Sequence, residues 1–134
     1  MDLNKVTLIG NLSKEPEQKQ LNTGSTVTRL NLATNYVWKD NSSGEKKQKV
    51  DFHTIIGWNR LGQRMKQYLK KGDKIYIEGR IDNRTYQNKE GKTQYFTDIV
   101  AQRLIMLGSG KKNPTATVVE EADTDPVPLE DSPF

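Results

Sequence analysis

The sequence contains no cysteine and a single histidine, His53. Without cysteine there is neither a disulfide framework nor a thiolate metal site. With one histidine, a metal would rest on scattered carboxylates, so no metal and no cofactor is expected. No apolar run approaches the roughly 20 residues that span a bilayer as a helix, so no membrane partner is expected. The N-terminus, MDLNKVTLIGNL, lacks a basic segment followed by a long apolar stretch, and no secretory signal is read there. The expectation is a soluble, cytoplasmic protein. Apolar residues make up only 33% of the 134, few for a chain packed throughout, so part of it is expected to stay outside any core. The marks of common chemistries are missing too: no phosphate-cradling glycine loop, no nucleophile elbow, no carboxylate cluster. Asp51 and His53 stand two apart on a strand, a pairing too common to define a catalytic dyad. No enzymatic activity is expected, and a nuclease is the least supported reading.

What is present is charge, sorted by position. Residues 1–112 hold all 21 Lys and Arg and 11 of the 17 acids, a net +10. Residues 113–134 hold the other six acids (Glu120, Glu121, Asp123, Asp125, Glu130, Asp131) and no base. A basic body attracts polyanions, and a detached acidic end reads as an interaction tail. Charge alone also fits a merely soluble surface, so the positions of the aromatics have to decide.

Five stretches alternate with the period of a strand. They are Lys5–Ile9, Val27–Thr34, Phe52–Trp58, Lys74–Glu78 with its extension Ile81–Tyr86, and Tyr95–Leu107. Between the third and fourth, Leu61, Met65, Tyr68 and Leu69 fall on one face of a short helix, with Gly72 as its expected stop. Turn residues at Asn22–Ser25, a polar loop at Asp40–Lys49 and a hairpin tip at Asn88–Lys92 separate the strands. This order predicts an all-β OB-fold, a five-stranded Greek-key barrel with one short helix between its third and fourth strands. Residues 1–108 form that domain. Residues 109–125 are expected as a flexible linker, and 126–134 as a disordered acidic tail tip for docking partners.

Binding a nucleic-acid single strand without regard to sequence takes a positive path for phosphates and aromatic faces for unpaired bases. Trp38 precedes the lysines Lys46, Lys47 and Lys49. Phe52 and Trp58 stand six apart on one strand, hence on one face. Tyr86 follows Arg84, with Lys89 and Lys92 in the adjoining tip. Polar neighbours set Trp38 and Tyr86 at a loop mouth. For Phe52 and Trp58, core packing and base stacking remain equal alternatives. An RNA-binding OB-fold stays open, because stacking is blind to the sugar. So does an adaptor that works chiefly through its aromatic terminus.

The pieces Asn4-Lys5-Val6, Ile9-Gly10-Asn11-Leu12, Glu15-Pro16-Glu17, Leu32-Ala33-Thr34 and Trp38 come in order. Asp51-Phe52-His53, Tyr68-Leu69-Lys70-Lys71-Gly72, Ile77-Glu78-Gly79-Arg80 and the terminal Pro133-Phe134 follow. In this order and spacing the chain resembles the bacterial-type single-stranded DNA-binding proteins, which phages and plasmids also carry. The resemblance implies four stacking rings, at Trp38, Phe52, Trp58 and Tyr86. It implies basic contacts along the DNA path at Lys5, Lys19, Arg84, Lys70 and Lys71. It further implies a homotetramer with His53 and Tyr76 near subunit contacts, acting at the nucleoid or replication fork. The tail tip, Glu130-Asp131-Ser132-Pro133-Phe134, is implied to bind replication, recombination and repair proteins. Two features depart from the family pattern. The tip lacks the usual run of three Asp, with Ser132 where Ile or Leu is usual, and the linker is short. Both fit a phage- or plasmid-adapted member.

Overall fold

Alternating apolar residues need a second surface to bury against, and here the sheet supplies it by closing on itself. The computed structural model describes residues 1–108 and the backbone of 117–120. The elements are β1 (Val6–Leu12), β2 (Glu17–Gln20), β3 (Thr26–Lys39), β4 (Lys46–Trp58), α1 (Asn59–Tyr68), β5 (Lys74–Gln87), β6 (Thr93–Gly108) and β7 (Thr117–Glu120). Strands are neighbours in the order β1-β5-β6-β4-β3, and β3 returns to β1 at Asn11↔Ala33 and Leu12↔Leu32. That closes the expected five-stranded barrel, with α1 between its third and fourth strands. The β4–β6 pairing is parallel, through Thr54↔Asp98 to Ile56↔Val100, and the others are antiparallel.

Inside lie Leu12, Leu30, Leu32, Ile55, Ile75, Ile77, Ile99, Ala101 and Leu104, joined by Leu61, Met65 and Leu69 from the helical segment. Twelve such residues are a small core, and each fully buried aliphatic contributes about 1.5–3 kcal/mol of transfer free energy. The helix approaches closely because Gly57 and Gly62 lack side chains. A Cβ on Gly62 would run into the Gly57 carbonyl oxygen, and Thr28 Oγ1 donates to the Gly62 carbonyl at 2.7 Å. Entry into α1 turns on Asn59, whose φ of 53° lies in the left-handed region that Asn tolerates. Its Oδ1 accepts the Thr26 N–H at 3.1 Å, fixing the corner that follows Trp58.

Four differences from the sequence expectation have physical causes. Strand β2 was invisible because Glu17–Gln20 is wholly exposed and buries no apolar face against β3, so no alternation marks it. Lys46–Lys49, expected as loop, extends β4, because it pairs with Tyr36–Lys39 in unbroken register. The helix ends at Tyr68 with Leu69 as its cap, and Gly72, at φ 95°, instead turns the chain into β5 with its N–H donated to the Leu12 carbonyl. Finally, Thr117–Glu120, within the stretch expected as linker, pairs antiparallel with Arg103–Met106 on β6. The tail-tip residues Glu130 to Phe134 lie outside the described residues.

Candidate nucleic-acid interface

Beyond the barrel, two strand pairs continue as ribbons. Thr34–Lys39 and Lys46–Asp51 pair only with each other, with Phe52 at the root of that ribbon opposite Ala33, and Asn83–Gln87 and Thr93–Thr97 likewise pair only with each other, among the described residues. A two-stranded ribbon has no second layer to bury apolar groups, so side chains on it face water. Sequence nevertheless puts Tyr36, Trp38, Phe52, Tyr86, Tyr95 and Phe96 there, all exposed.

Register sorts these rings by face. Leu30↔Ile55 and Leu32↔His53 point into the barrel, so Phe52, Thr54, Ile56 and Trp58 emerge on the outer face. Thr54↔Asp98 and Asp82↔Asp98 carry that face across β6 to β5, where Arg84 and Tyr86 continue it. Phe52, Trp58 and Tyr86 therefore share one surface. Its floor is the buried strip Val27, Ile56 and Val100. Lys19, paired with Val27, stands in the lateral row that contains Trp58. Trp38 departs from this group. It pairs with Lys47 and has the parity of Leu30 and Leu32, so it emerges from the opposite face of the β3–β4 ribbon.

The basic positions divide likewise. Arg84 Nε donates to the buried Asp98 carboxylate at 2.6 Å, and its guanidinium lies 5.3 Å from the Phe96 ring centroid. Its charge is thus matched by Asp98, with Asp82 buried directly across the strand pair. Lys89 sits in the β5–β6 tip, where the Asn88 side chain accepts the Glu90 and Lys92 N–H groups. Lys70 and Lys71 lie at the opposite end of β5 from Tyr86, where Asp73 accepts the Lys70 N–H and Glu15 the Lys71 N–H. Lys5 precedes β1, close enough to Glu78 to help hold its carboxylate charged.

The β3–β4 tip is organised by one carboxylate. Asp40 accepts the Ser42 N–H at 3.0 Å, the Ser42 hydroxyl at 2.9 Å and the Ser43 hydroxyl at 3.2 Å, with Lys47 Nζ 3.2 Å away. These donors, the Ser42 backbone first, hold its carboxyl below the ordinary Asp value. Of the positions expected at subunit contacts, His53 Nε2 is 2.9 Å from Thr34 Oγ1. The Tyr76 hydroxyl donates to Glu78, which raises the phenol pKa and lowers that of the carboxyl. Sequence reasoning passed over Tyr36, Tyr95 and Phe96 as candidate rings. Tyr36 had a signal, standing two residues before Trp38 on a strand.

Residues 3–107 match the model of the single-strand binding protein family. The chain belongs to that family. Among solved structures it is similar to the Plasmodium falciparum SSB in complex with ssDNA. That match has 33% identity over 81% of this chain and 97% of that one, with a TM-score of 0.73. It is also similar to a deletion mutant of the single-stranded DNA binding protein from Thermus aquaticus, at 27% identity and a TM-score of 0.69. That similarity covers 79% of this chain and 51% of the other. The family match spans the barrel and both ribbons, so the rings belong to the shared domain and are no appendage to it. Among the described residues no helix is long and apolar enough to cross a membrane.

Proposed function

We propose that the chain binds single-stranded DNA without sequence specificity, protects it, and recruits replication, recombination and repair proteins through its acidic tail. The carrying observation is the set of exposed rings on basic ribbons that offer them no core: Phe52 and Tyr86 on one face, Trp38 on the other. A ring face accepts any base at about 1–3 kcal/mol, which is why such a surface is indifferent to sequence. Family membership and a neighbour described in complex with ssDNA support the same reading. The family is one of binding, and no catalytic step is assigned to this chain.

Assembly into a homotetramer belongs to the proposal. Its support is the edge of β1, which from Val6 to Gly10 is paired only on the β5 side among the described residues and carries the exposed Ile9. Open edges of this kind are normally covered. Sedimentation at the mass of one copy would remove the tetramer and leave DNA binding standing. The setting for the activity is the cytoplasm, at the nucleoid or replication fork.

The deciding experiment is a titration with oligo(dT), read by the fluorescence of the two tryptophans, Trp38 and Trp58. Quenching is expected, with affinity that falls as salt rises, since phosphate neutralisation releases counterions. No quenching at low salt sinks the proposal. Competition by oligo(U) separates DNA from RNA preference. A chain lacking residues 126–134 should bind oligo(dT) at least as tightly yet lose capture of replication enzymes. Retained capture would refute the tail's role.

A further inference from the structure

Tyr36 and Trp38 share the face of the β3–β4 ribbon turned away from Phe52, Trp58 and Tyr86. Their ring centroids are 5.5 Å apart with planes inclined at 31°. Tyr36 is 65% exposed and Trp38 38%, so neither ring is placed there to fill a core. Directly across the ribbon, on the same face, Tyr36 pairs with Lys49 and Trp38 with Lys47. The pattern is a ladder of two rings beside two ammonium groups. Both lysines are exposed and hold ion partners, Lys49 with the exposed Asp51 at 3.5 Å and Lys47 with the partly buried Asp40 at 3.2 Å. Surface pairs of this kind contribute little and exchange readily for another anion.

We propose that Tyr36 is a fifth base-stacking platform, forming with Trp38 a second subsite for single-stranded nucleic acid on the face opposite Phe52. This rests on the reading that the chain binds single strands. A base does not insert between the two rings, because two stacking contacts need about 7 Å of separation and only 5.5 Å is present. Each ring offers its outer face to a base of its own, while Lys47 and Lys49 meet the intervening phosphates. A strand that reaches both subsites must pass around the edge of the ribbon. The new subsite is therefore engaged by strands longer than one fold's site of about 4–16 nucleotides.

The test is oligo(dT) binding to the full chain at low salt, with Tyr36→Ala, Tyr36→Phe, and Tyr36→Ala combined with Trp38→Ala or Phe52→Ala. Tyr36→Ala should weaken binding of long oligo(dT) about 5- to 150-fold, and Tyr36→Phe, which keeps the ring, by less than about twofold. The losses should multiply when Tyr36→Ala joins Phe52→Ala. They should fall short of multiplying when it joins Trp38→Ala, because contacting rings couple and rings on opposite faces do not. Wild-type affinity in Tyr36→Ala overturns the subsite and leaves the wider reading intact. An equal loss in Tyr36→Phe overturns stacking, since it would assign the contact to the hydroxyl. A wild-type chain that does not bind oligo(dT) refutes the wider reading instead.

Discussion

The same four strands end in two unlike regions. At one end β3, β4, β5 and β6 are bonded on both edges and bury Leu30, Ile55, Ile77 and Leu104. At the other they run on as two ribbons, the first of which has Asn35–Lys39 and Lys46–Asp51 all exposed and the exposed Phe52 at its root. The first region has the second layer that apolar side chains need, and the second does not. An apolar residue in the barrel is thereby accounted for by stability. A ring on a ribbon is left over, and it is the leftover that points to a ligand. The difference also explains how one small domain reconciles rigidity with reach. The barrel fixes the register, and the register fixes which face each ring presents.

If the division holds, substitutions in the two regions act on different quantities. Ile77→Ala empties a fully buried site and should cost about 2–5 kcal/mol of unfolding free energy, with the folded fraction binding oligo(dT) normally. Denaturant unfolding followed by titration of the remaining folded protein checks this. A weakened affinity in the folded fraction would mean that the barrel interior tunes the site directly. On the ribbons the expected pattern inverts. Phe52→Ala, Tyr86→Ala and Trp38→Ala should each cost about 1–3 kcal/mol of affinity, with denaturation midpoints near wild type. A ring whose removal lowers the midpoint and leaves affinity unchanged is packing after all, and the division fails there.

The sequence made the barrel legible because a buried face leaves a period. Val27 to Leu32 and Ile75 to Ile77 alternate, and Leu61, Met65 and Leu69 recur at helical spacing. Where no face is buried the period vanishes. That is why β2 and the outer half of β4 were unreadable, although both are held by regular backbone bonds. The stacking candidates were legible by type and by resemblance, yet their arrangement was not. That Trp38 emerges opposite Phe52 follows from a cross-strand register, which is a property of pairing and is written in neither strand alone. The Arg84–Asp98 pair was hidden for the same reason: its members are 14 residues apart in the chain and meet only through β5–β6 pairing.

The finest test of the division lies at a ribbon tip, where no core contributes. Asp40→Asn keeps an oxygen acceptor for Ser42 and Ser43 and removes the charge facing Lys47. If the tip serves DNA, Lys47 is then free to meet a phosphate, and oligo(dT) affinity should rise about twofold at low salt and be unchanged at high salt. The pH dependence has a definite sign. The carboxyl is held below its ordinary value of 3.8, first by the Ser42 backbone N–H, so its contribution to tip order is complete above that value. The contribution is lost only as pH falls through the lower, folded-state value. Backbone amide exchange at Ser42 should accordingly be flat through neutral and mildly acidic pH, after correction for intrinsic rates, and quicken only in stronger acid. A weaker-binding Asn variant would assign Asp40 a different job. It would mean that the order this carboxylate imposes on the tip matters more to the ligand than the negative charge it carries there.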